Sequence, residues 1–449
     1  MFHQAGWKLV IIALLAFTGT FVSSAIMADL QGTIMNCFDR PTIDDANLRQ
    51  WRQDFHCHPE TAFEEHRTAQ RIVEILDQAG LPFVSGLGGG TGIVATLQGR
   101  LGDGPSIGLR ADSDALNITE LNDVGYASCV PGKMHACGHD GHTTMLLGAA
   151  CRLAAQPDFA GRVYFIFQPA EESEGGGRVM VEEGLFERFP MEAIYGVHNW
   201  PGLPVGEAAV HDTAVMAASD VFTLTLHGNG CHAAMPHLGS DAILAGCQLV
   251  NQIQGLISRE TPADQTAVLS VTKFHAGDAF NVIPERVELR GTLRCFDEPL
   301  RQRLQKRFSD VVDSVARLHS LRAELDYHPR YPATFNAPEH AQRCAEVLEG
   351  LPEIARVHRD LAPSMAAEDF AFMLNECPGA YIWLGNGERS AALHSPHYDF
   401  DDRLTPIGVE YWAQLVRSLL SNEQETQSLQ LPVPDCHLPD NPPKTNREK

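Results

Sequence analysis

Residues 162–172 read RVYFIFQPAEE, an unbroken apolar run that ends in a proline and two adjacent acids. A short apolar run closed by turn residues predicts a strand buried on both faces. Similar runs lie on either side: GIVATLQG (92–99) and SIGLRAD (106–112) before it, and AIYGVHN (193–199) after it. Helical spacing fills the intervals after His142 and after Gly176, and the earlier stretch TAQRIVEILDQAG (68–80) closes on Gly80 as a helix stop. Strands alternating with helices predict an α/β fold, a mixed, mainly parallel sheet flanked by helices. Ligands of such sheets gather beyond the carboxyl ends of the strands. Asp112, Glu171, Glu172 and His198 all fall at or just past those ends.

The texture changes near Ala217. VFTLTLHG (221–228) alternates with period two, and a helix is expected from about Ser240 to Arg259. TAVLSVTKFHAG, RVELRGTLRCF, a long amphipathic helix from about Leu300 and LRAELDYHP complete the order β-α-β-β-α-β. That is the order of a ferredoxin-like α+β domain. Helix and strand alternate again from about Pro338 to Leu420. The expected organisation is a catalytic domain in two parts, 42–215 and 329–421, interrupted by an inserted domain at 216–328.

With 449 residues, the chain is long enough for two domains. Hydrophobic residues at 44% and charged residues at 20% place it among globular proteins. A formal charge of −23 argues against nucleic acid or an anionic membrane as partner. Eleven cysteines in irregular spacing, with no C-x-x-C pair, argue against a disulfide scaffold and for a reducing, cytoplasmic location. The apolar run KLVIIALLAFTGTFVSSA (8–25) leaves an alternative. Residues 1–26 read either as a signal or anchor, in which case the protein is exported or touches a membrane through residues 9–25, or as an extension ahead of Met27. Residues 422–449, polar and proline-rich, read as a disordered tail.

The chemistry concentrates in HACGHDGH (135–142). In extended backbone Cys137 and His139 share a side, with His135 joining them if the geometry reaches that far. Thiolate and imidazole are good ligands for zinc, and imidazole also suits manganese, cobalt or nickel. Asp140 is placed to orient a ligating imidazole. The alternative is that these histidines merely cap a helix over 141–154. Of the adjacent Glu171 and Glu172, one can bind an ion while its neighbour accepts a proton, a division that suits metal-assisted hydrolysis. A solvated acidic loop is the plainer reading of the same pair. His198 in GVHN and His394 in LHSPHYDFDD (393–402) add two further imidazoles.

MHACGHDGH, QPAEE, GVHN, GCHAAMPH, NVIPERVELRGTLR, AAEDFAFM and LHSPHYDFDD occur in this order over roughly residues 45–420. Together they resemble the hippurate hydrolase and indoleacetyl–amino acid hydrolase branch of the aminoacylase-type dinuclear metallohydrolases. The resemblance implies hydrolysis of N-acyl amino acids, a small-molecule substrate class, with two divalent ions per subunit. Manganese or zinc is expected, and cobalt or nickel is compatible. The implied metal ligands are Cys137, His139, Glu172, His198 and His394, with Glu171 as general base. The inserted domain is implied to be a lid and the contact of a homodimer. His232 is implied to polarise the scissile carbonyl, in many relatives from the partner subunit, while Asn281 and Arg294 bind substrate and its carboxylate. The branch usually has glycine where Cys231 stands.

Three other readings compete. A cysteine hydrolase using Cys137, with His139 or His142 as base, leaves Glu171, Glu172, His198 and His394 without a role. A metal-binding protein without turnover leaves Glu171 unexplained. An aminopeptidase or dipeptidase of the same family differs only in whether the amine end of the substrate is free. The signature of a zinc deaminase is absent.

Overall fold

A computed structural model describes residues 43–172 and 174–421. The readings made for residues 1–26 and 422–449 lie outside them. Among the described residues no helix is long and apolar enough to cross a membrane.

Helices α1 (Asp45–Cys57) and α2 (His66–Gln78) precede the hairpin β1 (Phe83–Leu87)–β2 (Gly92–Gln98). Then come β3 (Ser106–Asp112), α3 (His139–Ala155), β4 (Arg162–Gln168), α4 (Gly176–Glu182), β5 (Ala193–Trp200) and β6 (Glu207–Ala209). A second unit follows: β7 (Ala218–His227), α5 (Ala242–Gly255), β8 (Ala267–Ala276), β9 (Arg286–Cys295), α6 (Glu298–Leu318) and β10 (Arg322–Tyr331). The chain then returns through α7 (Pro338–Glu349), β11 (Arg356–His358), α8 (Phe370–Glu376), β12 (Gly379–Gly385) and α9 (Leu404–Leu419).

The fold is mixed α/β. Its eight-stranded sheet runs β1-β2-β4-β3-β5-β12-β6-β11. The four central strands β4, β3, β5 and β12 are parallel, so their carboxyl ends share one edge. The departure from a parallel sheet comes at the flanks, where β1/β2, β2/β4 and β12/β6 pair antiparallel. GIVATLQG (β2) is therefore not part of the parallel core. A parallel pair requires a crossover of a dozen or more residues, so the four residues Gly88–Thr91 make β1 and β2 a hairpin, and β2 in turn lies antiparallel to β4. α3 makes the crossover from β3 to β4. Nearly all of α3 is buried, because the sheet, α1, α2 and α9 surround it.

The second unit is a four-stranded antiparallel sheet in the order β8-β9-β7-β10, the ferredoxin-like order. Alternating side chains of β7 and β9 (Phe222, Leu224, Leu226, Val287, Leu289, Leu293) pack under α5 and α6 as a core of their own.

A buried ionic contact ties α1 to the start of α3. His56 Nδ1 lies 2.8 Å from Asp140 Oδ2, and His56 Nε2 lies 3.3 Å from Glu120 Oε1. Burial alone depresses the imidazole, but hydrogen bonds to Asp140 and Glu120 outweigh it and push His56 up to about 9, from 6.5. A group raised on folding contributes its full stability below its unfolded pKa and loses it as pH climbs through the folded one. The unfolding free energy in urea is thus expected to fall by up to about 3 kcal/mol between pH 6.5 and 9. In His56→Gln that part of the slope should disappear, and an unchanged slope contradicts the assignment.

Candidate metal centre

Each residue at the carboxyl edge is placed by an element already described. Cys137 and His139 flank Gly138, whose φ of +96° turns the chain abruptly into α3. A Cβ at Gly138 would stand 2.2 Å from Asn199 Oδ1 and 2.5 Å from the Tyr398 hydroxyl, so only glycine fits there. Glu171 and Glu172 follow β4, His198 lies near the end of β5, and His394 lies in the loop after β12. The His394 backbone is left-handed (φ 63°), and its N–H donates to Ala136 O at 2.8 Å, which pins the loop beside Cys137.

The donor atoms converge. Cys137, His139 and His198 form one group within 4.8 Å, and Cys137, Glu172 and His394 form another. Cys137 is the vertex shared by both. Its Sγ lies 3.4 Å from His198 Nε2, and Glu172 Oε1 lies 3.2 Å from His394 Nε2 and 3.9 Å from His139 Nε2. His139 Nε2 and Glu172 Oε1 are both buried without a hydrogen-bond partner. Such atoms are costly unless a further group meets them.

The imidazoles are turned for ligation. His198 Nδ1–H donates to the Asn199 carbonyl at 2.6 Å, leaving Nε2 toward Cys137. Burial, with His142 nearby, holds His198 well below its ordinary pKa, so it stays neutral. His139 Nδ1 is held by Asp114, 2.9 Å from its carbonyl and 3.2 Å from its carboxylate. The expectation that Asp140 orients a ligand is therefore corrected. His139 and Asp140 open α3, where successive side chains point about 100° apart, so the Asp140 carboxylate faces His56 and Arg52 instead. His135 likewise turns away, its ring 6.4 Å from that of His56. His142 is not available as a ligand, because Asp112 Oδ1 at 2.6 Å and Asn199 Oδ1 at 2.7 Å engage both its nitrogens.

Electrostatically the pocket is short of positive charge. Burial, then Glu368 and Glu172, push the Glu171 carboxyl well above its usual range. Burial, then Glu172 and Glu171, push the Cys137 thiol well above its usual range. Burial disfavours a proton on His139, yet Asp112 and Asp114 overcome it and raise the group to about 10. Divalent cations fit this donor set and this field, with Cys137, His139, Glu172, His198 and His394 as the residues able to hold them.

Sequence reasoning missed Asp114. Besides orienting His139, its carboxylate accepts the backbone N–H groups of Glu171 and Glu172, each at 3.0 Å, so one side chain sets both ligand loops. The signal was available, since Asp114 follows β3 two residues after Asp112. Asp114→Asn is expected to lower metal affinity about 10- to 100-fold, measured by titration with zinc or manganese. Unaltered affinity would remove Asp114 from the account. Arg110, in β3, was also passed over, as was Tyr331, whose hydroxyl donates to the Glu171 carbonyl at 2.6 Å.

His232, Asn281 and Arg294 belong to the second unit. The exposed His232 accepts the Ala234 N–H at Nδ1 (3.1 Å), and the short strand Cys231–His232 pairs with Val282–Ile283. Among the described contacts neither His232 nor the exposed Asn281 meets the donor cluster. Cys231 is accommodated in that pairing, opposite Ile283. Arg294 lies in β9, part-buried, with Asp220 and Tyr331 as its charged or polar surroundings.

Residues 108–418 match the model of peptidase family M20/M25/M40. Among curated proteins, N-acetylcysteine deacetylase of Bacillus subtilis (strain 168) is 36% identical over 370 residues, 82% of this chain and 95% of that relative. Hippurate hydrolase of Campylobacter jejuni is 34% identical over 369 residues, 82% of this chain and 95% of the relative. Among solved structures, the Bacillus subtilis YXEP protein, a dinuclear metal binding peptidase from the M20 family, superposes with a TM-score of 0.73 at 33% identity. That match covers 84% of this chain and 98% of the other.

Proposed function

Because the chain belongs to peptidase family M20/M25/M40, we propose that this metal-dependent amidohydrolase cleaves N-acyl amino acids, hippurate-like or N-acetyl, to a carboxylic acid and a free amino acid. The observation that carries this reading is the sharing of Cys137 by two donor groups, which suits two ions side by side. Cys137, His139, Glu172, His198 and His394 would hold two divalent cations, which when bound would supply Lewis acidity to polarise the amide carbonyl and acidify water. Manganese or zinc is the preferred pair, with cobalt or nickel tolerated by the same donors.

Glu171 takes the proton of the attacking water on its carboxylate and delivers it to the departing amine. Asp369 N–H, 3.3 Å from Glu171 Oε1, and Tyr331 on the Glu171 carbonyl keep that carboxylate in place. Arg294 makes no ion pair among the described residues, which suits the substrate carboxylate, with Asn281 beside it in function. His232 polarises the carbonyl once the second unit, here taken as the lid, brings it over the site.

A homodimer through that unit is part of the proposal. Leu244, Phe274 and Val282 are exposed there, Phe280 is fully exposed, and β8 is a free sheet edge. Free cysteines among the described residues, Cys57, Cys129, Cys137 and Cys344 among them, favour a cytoplasmic location. The substrate class is tested by following amino-acid release from hippurate, N-acetyl amino acids and dipeptides with a free amine. Turnover of the acylated substrates is expected. Turnover of the dipeptides alone would instead establish the aminopeptidase or dipeptidase reading.

A further inference from the structure

A second cluster of ligating side chains lies outside the centre described above. Cys57 ends α1, His58 follows it, and Cys129 comes from the loop between β3 and α3. The three ligand atoms lie within 4.8 Å of one another. The Cys129 N–H donates to the Cys57 carbonyl at 2.8 Å, which locks the two segments together. His58 Nδ1 is 2.9 Å from the Asp54 carbonyl, so its ring orientation is fixed. The loop is anchored independently of the thiols. Ser128 N–H donates to Glu120 Oε2 at 2.6 Å, and Glu120 in turn meets His56.

We propose that Cys57, His58 and Cys129 bind one thiophilic divalent cation of the zinc class, a site separate from the catalytic pair. A tetrahedral zinc holds sulfur and imidazole donors roughly 3.5–3.8 Å apart, so the observed spacing needs only a small closure around the ion. Two thiolates and one imidazole select zinc over the hard cations magnesium and calcium. Both thiols give up their protons to solvent as the ion binds. Cys129 is exposed and Cys57 and His58 are half-buried, which leaves an open path for the ion and a fourth position for water. Arg67 Nη2 already engages Asp54 Oδ1 at 2.7 Å, so Asp54 is not counted as a ligand. The ion would brace the loop that runs into Cys137 against the end of α1.

The test uses the full chain, reduced and free of oxygen, titrated with cobalt(II). In Cys137→Ser the catalytic thiol contributes no thiolate-to-cobalt charge-transfer band, so a band from one equivalent of cobalt is expected from the second site. Adding Cys57→Ser and Cys129→Ser should abolish it. In parallel, the double variant Cys57→Ser/Cys129→Ser, with the catalytic centre intact, should hold one equivalent of zinc per chain less than the wild type while remaining active. The proposal is overturned if Cys137→Ser shows no such band, or if the band survives loss of Cys57 and Cys129. Equal zinc content in the two proteins overturns it too. So does an isolated chain lighter by two hydrogens, through a Cys57–Cys129 disulfide, that takes up no ion after reduction.

Discussion

Glu171→Gln is expected to lower kcat for an N-acyl amino acid by about 10²- to 10⁴-fold, while KM and metal content stay near wild type. The amide keeps the size of the side chain and its contact with the Asp369 N–H, but it cannot accept the proton of water at the reacting carbon. Burial, then Glu368 and Glu172, hold the Glu171 carboxyl well above its usual range. Its backbone is fixed from both sides, by Asp114 on the N–H and Tyr331 on the carbonyl. The substitution therefore removes chemistry without removing structure. If metal content fell in step with activity, Glu171 would be a ligand, and the proton would have to move elsewhere. If activity persisted, the hydrolytic role assigned to the acid pair would be lost.

The second large effect is on stability. Arg110 in β3 is fully buried and reaches Gln168 Oε1 at 2.8 Å, Asp112 Oδ2 at 2.8 Å, Glu368 Oε1 at 3.0 Å and Asp369 Oδ1 at 2.9 Å. It is the cation that lets three acids exist under the catalytic edge, and it joins β3 and β4 to the start of α8. Arg110→Met leaves those acids buried without compensation, at a cost of about 3–5 kcal/mol. A single ammonium cannot reproduce the fork, so Arg110→Lys should recover little of the loss. The check is urea unfolding of both variants with metal bound. A loss below about 1 kcal/mol in Arg110→Met would show that the cluster is not a stabilising keystone.

The two effects also mark what the sequence conveys by itself. Apolar runs such as RVYFIFQ and AIYGVHN announce buried strands, because a strand's surroundings are written in consecutive residues. Cys137, His139, Glu171, Glu172, His198 and His394 could be picked out for a related reason, since each has conspicuous chemistry at a strand end or in a short motif. Partnerships across the fold are not written locally. Arg110 meets Glu368, 258 positions away, and nothing in SIGLRAD or AAEDFAFM announces the meeting. Asp140 looked like the residue that orients a ligand because it is adjacent to His139 in the chain. Both residues open α3, where successive side chains diverge, and the task falls to Asp114. Which strands of the mixed sheet run antiparallel, β2 among them, is illegible for a similar reason. A strand's direction depends on the length of its connections and on which strand it pairs with, and apolar content is silent on both.

The central claim is that hydrolysis depends on ions held where the two donor groups meet at Cys137. The most direct measurement follows glycine release from hippurate by protein produced from Met27 onward, before chelation, after chelation, and after manganese or zinc is restored. Activity should vanish with the metal and return with it, and Cys137→Ser should neither hold the ions nor recover. Release of glycine that continues unchanged in fully chelated, metal-free protein would contradict the account and would make Cys137 a nucleophile rather than a ligand.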